Sequence, residues 1–117
     1  MARILIANAD PIERLILIGA LESAGHEVVE ARDGTDAIEL AADTDPRALV
    51  LDEVMPRSGG AETGRAIRRR GESGIPIILL TSRASAARGR GVRSTDTVLK
   101  KPIDPDELVA AIDTVLD

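Results

Sequence analysis

The sequence predicts an α/β domain in which five short parallel strands alternate with helices packed on both faces of one sheet. Three observations carry this. Short runs rich in Ile, Leu and Val recur along the chain, each followed by a helix-like stretch. Two of the runs, 47–51 and 76–80, are nearly all apolar, as strands buried on both faces must be. Two helix starts are written as Asp-Pro with an acid at the third helical position, at Asp10-Pro11…Glu13 and Asp104-Pro105…Glu107.

Taken in order, Arg3–Ala7 (RILIA) reads as the first strand. Asp10 then caps a helix over Pro11–Ala24, with apolar positions 12, 15, 16, 18, 21 and 24, and Gly25 ends it. His26–Ala31 (HEVVEA) reads as the second strand. After the Asp33-Gly34 turn, a short helix runs from Thr35 or Asp36 to about Ala42. Arg47–Leu51 is the third strand. Ala61–Arg70 is a helix with a basic outer face, closed by Gly71, and Pro76–Leu80 is the fourth strand, its Pro at the first position where it does least harm. The stretch Ser82–Val92, rich in Ala, Arg and Gly, makes a weak helix at best. Asp96–Leu99 is a short fifth strand, and Asp104–Leu116 the last helix. Five such units with right-handed crossovers give a doubly wound sheet, and five strands favour the flavodoxin-like order 2-1-3-4-5.

A chain of 117 residues is read as one domain, 1–117. It has no cysteine, which excludes disulfides and thiolate metal sites, and its single histidine cannot form a zinc site alone. It has no aromatic residue, which argues against base-stacking recognition of nucleic acid and against a flavin pocket. No stretch approaches a membrane span, and Met1-Ala2-Arg3 runs straight into strand-like sequence, so a cytoplasmic product is expected. The net charge of −5 is unevenly spread: residues 1–56 sum to −8, residues 57–101 to +8 and residues 102–117 to −5. Thirteen of the fifteen basic residues are Arg, which reads either as solvated helix faces or as an Arg-rich docking face.

The candidate site follows from the strand ends. Asp52 closes the third strand, Thr81 the fourth, and Lys101 follows the fifth. In an open parallel sheet those ends lie side by side, where ligands bind. A carboxylate, a hydroxyl and an ammonium converging there suit the acceptance and holding of a phosphoryl group. Taken singly, each residue is equally a cap or a loop residue; their co-occurrence carries the reading. His26 follows Gly25 at a strand start and reads as structural or surface.

Asp10-Pro11…Arg14, Gly25-His26-Glu27-Val28, Ala31-Arg32-Asp33-Gly34, Leu51-Asp52…Met55-Pro56…Gly60, Ile75-Pro76-Ile77-Ile78…Thr81 and Lys101-Pro102 stand in an order and spacing that resembles the receiver domain of two-component response regulators. The resemblance covers about residues 3–116. It implies that Asp52 is the phosphoacceptor, that Lys101 pairs with the phosphoryl oxygens and that Thr81 bonds the phosphoryl group. It also implies that the Val54 backbone carbonyl and Asp52 ligate Mg²⁺, and that the Lys101-Pro102 bond is often cis. The implied partner is a sensor histidine kinase or a phosphotransfer protein. A homodimer through the face of the fourth and fifth helical segments (82–92 and 104–116) is a further expectation.

The chain departs from the family pattern where two adjacent acids normally hold the metal. Those positions are Asn8 and Ala9; Asn8 and Asp10 are weak candidates for the metal, and Glu53 is another. Losing two anions within about 4–6 Å of a divalent ion costs several kcal/mol even at an effective dielectric near 20, so Mg²⁺ is expected to bind weakly or not at all. Val98 stands where the family places an aromatic residue that turns inward on activation, and a stiff valine cannot make that turn. Two readings follow: a receiver phosphorylated at Asp52 with impaired Mg²⁺ dependence, or a pseudo-receiver that works as an interaction module. Nothing in the sequence points to an enzyme acting on a metabolite.

Overall fold

The computed structural model describes residues 1–71, 74–82 and 96–117. Five strands, β1 (Arg3–Ala7), β2 (Glu27–Ala31), β3 (Ala48–Asp52), β4 (Ile77–Thr81) and β5 (Thr97–Lys100), form one parallel sheet in the order β2-β1-β3-β4-β5. Among the described residues four helices flank it: α1 (Pro11–Ser23), α2 (Gly34–Thr44), α3 (Gly60–Arg70) and the last helix, α4 (Pro105–Leu116). This is the order the sequence predicts. The expected fourth helical segment lies, but for Ser82, outside the described residues, as do Arg83, Arg88, Arg90 and Arg93.

The strand period of two divides the core. Ile4, Ile6, Val50, Ile78 and Leu80 face α1 and α4, where Leu17, Leu21, Leu108 and Ile112 meet them. Leu5, Leu49, Leu51, Ile77 and Leu79 face α2 and α3, where Ala37 and Ile67 meet them. With no aromatic side chain to fill space, the layers close through branched aliphatics, Ala and Met55.

α1 corrects the sequence reading of its buried face. Leu17 and Leu21 are buried, whereas Ile12, Leu15 and Ile16 are 73%, 71% and 54% exposed. Of the expected positions 12, 15, 16, 18, 21 and 24, Leu21 is buried and Ile18 packs against the core, while the sheet takes Leu17 in place of 12, 15 and 16. The caps behave as predicted in part. Asp10 accepts from the backbone N–H groups of Ile12 and Glu13, but Glu13 does not return the bond to the cap. Asp33 caps α2, which starts at Gly34 and runs two residues past the expected Ala42. His26 is structural, as expected: its Nδ1 accepts the Ala2 N–H at 3.2 Å, and its Nε2 lies 3.6 Å from an Asp113 oxygen.

Candidate functional site

The carboxyl ends of β1, β3, β4 and β5 bring Asn8, Asp52, Thr81 and Lys101 to one rim of the sheet. Asp52 is the last residue of β3 and is 4% exposed. The chain turns sharply after it: the Glu53 N–H donates to the Leu80 carbonyl at 2.8 Å, and the Gly60 N–H donates back to the Glu53 carbonyl at 3.0 Å. A side chain at residue 60 would not fit this turn, because its Cβ would lie 2.5 Å from the Asp52 carbonyl oxygen. Lys101 is tied to β4 through its own N–H, which donates to the Thr81 carbonyl at 2.8 Å, and its peptide bond to Pro102 is cis. Its ammonium reaches both oxygens of Asp52, at 2.9 and 3.0 Å.

A second carboxylate enters that the motif does not name. Glu13 Oε1 lies 3.5 Å from Lys101 Nζ and accepts from Asn8 Nδ2 at 2.7 Å. The Asn8 amide oxygen accepts the Asp10 N–H at 2.8 Å. Lys101 is therefore shared between Asp52 and Glu13, and the pocket is more acidic than Asp52 and Lys101 alone suggest. Glu53 takes the remaining polar group, its Oε1 accepting the hydroxyl of the buried Thr81.

The electrostatics follow from depth. Burial pushes the Asp52 carboxyl above its ordinary value; the hydrogen bond and charge of Lys101 and the Val54 N–H oppose this, and Glu13 adds to it. Burial also pulls the Lys101 ammonium down, but Asp52 and then Glu13 outweigh it and leave its pKa raised. One contact thus has opposite outcomes for its two partners. The Asp52 side chain is 5% exposed and carries nearly the full desolvation cost, whereas Lys101, at 28%, keeps much of its hydration. Burial is the largest of the influences on the Asp52 carboxyl.

An octahedral Mg²⁺ needs oxygens at about 2 Å from every side. Here Asp52 gives both oxygens to Lys101, the Asn8 amide is engaged at both ends, Ala9 offers no donor and Asp10 caps α1. Among the described residues no three Asp, Glu or His side chains stand together in a way that could hold a metal ion. Set against a pair of adjacent acids, this donor set is poor in carboxylate oxygens.

The family model described as the response regulator receiver domain matches residues 4–113. The chain belongs to that family. The receiver is 34% identical to the protein PilH of Pseudomonas aeruginosa over 122 residues, covering 99% of this chain and 98% of that one. It is 40% identical to the response regulator MprA of Mycobacterium leprae over 116 residues, covering 97% of this chain but spanning half of that one. Its fold matches the solved chemotaxis protein CheY4 of Vibrio cholerae with a TM-score of 0.91 at 27% identity, over 98% of each chain.

Val98 is packed partly buried against the core, and Val54 lies exposed just past Asp52. Sequence reasoning missed Glu13 and the partner of Thr81, and both had a signal. Glu13 heads the row 13, 17, 21 that α1 turns to the sheet, a row of which the expected apolar positions include only 21. The register pairs Asp52 with Leu80, so one further step sets Glu53 opposite Thr81 on the same side.

Proposed function

We propose that the receiver accepts a phosphoryl group on Asp52 from a sensor histidine kinase or a phosphotransfer protein, and that its Mg²⁺-dependent phosphorylation is impaired. The observation that carries this is the Lys101 ammonium bridging both oxygens of a buried Asp52 while Asn8 and Ala9 stand at the metal-binding end. In the transfer an Asp52 oxygen forms a bond to phosphorus as the donor's P–N bond breaks, and the bonding pair returns to the imidazole nitrogen. Lys101 swings from carboxylate to phosphoryl oxygens without leaving the pocket, and it neutralises the charge that accumulates. The domain is a signalling module with a cytoplasmic role, and no helix among the described residues is long and apolar enough to cross a membrane. Self-association between the Arg-rich 82–95 segment and the acidic last helix belongs to the same reading, and sedimentation at low and high salt tests it, since an electrostatic dimer weakens as salt rises.

Exposure to a small phosphodonor such as acetyl phosphate over a Mg²⁺ series tests the main reading, read by intact mass with Asp52→Ala as control. Slow modification that depends weakly on Mg²⁺ and vanishes in Asp52→Ala is the expected result. Rapid modification saturating at low Mg²⁺ contradicts the impairment, and none under any condition contradicts Asp52 as acceptor. The second reading, an interaction module that works without phosphate, is favoured by the bond between Thr81 and Glu53.

A further inference from the structure

A threonine has one hydroxyl proton. The proton of Thr81 goes to Glu53 Oε1, and Glu53 is the residue immediately after Asp52. The contact is built rather than incidental. Glu53 leaves β3 one register step past the Asp52–Leu80 pair, so its side chain and that of Thr81 share one side of the sheet edge. Both its backbone groups are bonded, to Leu80 and to Gly60, and a Cβ at Gly59 would lie 2.8 Å from its carbonyl oxygen, so the loop holds the residue closely. The second carboxylate oxygen, Oε2, is buried with no hydrogen-bond partner among the described residues. Keeping a carboxylate oxygen out of water opposes this placement, and the charge-assisted bond from Thr81 offsets it.

We propose that Glu53 is a built-in substitute for the phosphoryl group at Thr81. The hydroxyl that answers to phosphate in a receiver is already held by an oxyanion of the chain itself, so this half of the switch is engaged in the unmodified protein. A phosphoryl group arriving on Asp52 must displace a neighbouring like charge to reach Thr81. Glu53 acts here as a positioning residue, alongside Glu13, which shares Lys101 with Asp52. The inference rests on the receiver reading of Thr81 and does not require Asp52 to be phosphorylated.

The test compares amide and threonine-methyl NMR spectra of the wild type, Glu53→Gln and Glu53→Ala, with Glu53→Ala repeated in an Asp52→Ala background. Without any ligand, Glu53→Gln keeps an acceptor and leaves the Thr81 signals near their wild-type positions. Glu53→Ala moves them, together with those of Leu80 and Lys101, and does so equally in the Asp52→Ala background. With beryllofluoride and Mg²⁺ added, Glu53→Ala forms the Asp52 adduct at a concentration lower by about tenfold, as release of the Thr81 hydroxyl to make one charge-assisted bond to the adduct demands. Thr81→Ala then abolishes that gain. Thr81 signals indifferent to Glu53→Ala overturn the proposal, and so does an adduct gain that survives Thr81→Ala. If no variant forms an adduct while Glu53→Ala still moves Thr81, Glu53 stands as the partner of the hydroxyl, and what falls is the reading that Asp52 can be charged with Mg²⁺ in this pocket.

Discussion

The two ends of the sheet each bury an ion pair, and the pairs are made differently. At the amino end Arg68 of α3 grips Asp96 with two bonds of 2.7 and 3.0 Å and donates to the Ile75 carbonyl, joining α3 to the starts of β4 and β5. The two side chains are 9% and 4% exposed. At the carboxyl end the ammonium of Lys101 is divided between Asp52 and Glu13 and stays partly wet. A guanidinium fork fixes distance and plane together; an ammonium on a four-carbon stem fixes only distance and can change partner by rotation. The first arrangement holds the fold, and the second leaves a charge that can be reassigned.

The largest effect should therefore come from the amino end. Arg68→Met strips Asp96 of both guanidinium bonds in a buried setting and is expected to cost about 3–5 kcal/mol in urea unfolding, with Arg68→Met/Asp96→Leu recovering part of the loss. A cost below about 1 kcal/mol would remove the contrast between the two ends, because surface pairs already reach that value.

At the carboxyl end the sign reverses. Burial holds the Asp52 carboxyl above its ordinary value, so between that value and the raised one the folded chain keeps a proton the unfolded chain has released. The stabilisation from this group is fully present below the ordinary carboxylate range and is lost as pH rises through the raised pKa. Asp52→Asn removes the dependence and leaves Lys101 with Glu13. The variant is expected to be more stable than wild type at pH 7. Its advantage should shrink as pH falls toward the acid side of the window. Denaturant midpoints at pH 7, 5 and 3.5 check this, and a variant less stable at pH 7 would mean that attraction to Lys101, rather than burial, decides the state of Asp52.

The same contrast shows what was legible in the sequence. The strand order, the caps at Asp10 and Asp104, and the placing of Asp52, Thr81 and Lys101 rest on local patterns and on where parallel strands must end, so they were readable. The Arg68–Asp96 pair was not. Arg68 sits in a run of three arginines at 68–70, and only the packing of α3 turns that one inward. Glu13 was hidden for a different reason: α1 carries apolar residues on most of its circumference, so counting them could not phase it. Glu53 needed the register between β3 and β4, which no single segment contains.

A smaller effect belongs to the loop that frames Asp52. Arg57 has φ of +74°, in the left-handed region that a side chain with a Cβ disfavours. Relief of that strain is partly offset by the greater entropy glycine loses on folding. Arg57→Gly is expected to stabilise by about 0.5–1 kcal/mol, read from the shift in thermal midpoint. A loss would mean that the Arg57 side chain makes a contact worth more than the strain, which would place the rigidity of the site loop in its side chains rather than its backbone.

The smallest effect is the one that separates packing from patterning in α1. Ile12, Leu15 and Ile16 form an apolar stripe on the side of the helix turned away from the sheet, so they give the fold little burial to lose. Leu15→Lys should stay within about 0.5 kcal/mol of wild type, whereas truncating the fully buried Leu21 on the opposite side to Ala should cost about 2–5 kcal/mol. The pair of variants tests the phase of the helix directly, since a phase set by 12, 15 and 16 reverses the two outcomes. If Leu15→Lys costs more than about 1 kcal/mol, the loss should be measured again at tenfold lower protein concentration. A loss that fades on dilution locates the missing burial between two copies of the chain. A loss that persists locates it within one and overturns the packing described for α1.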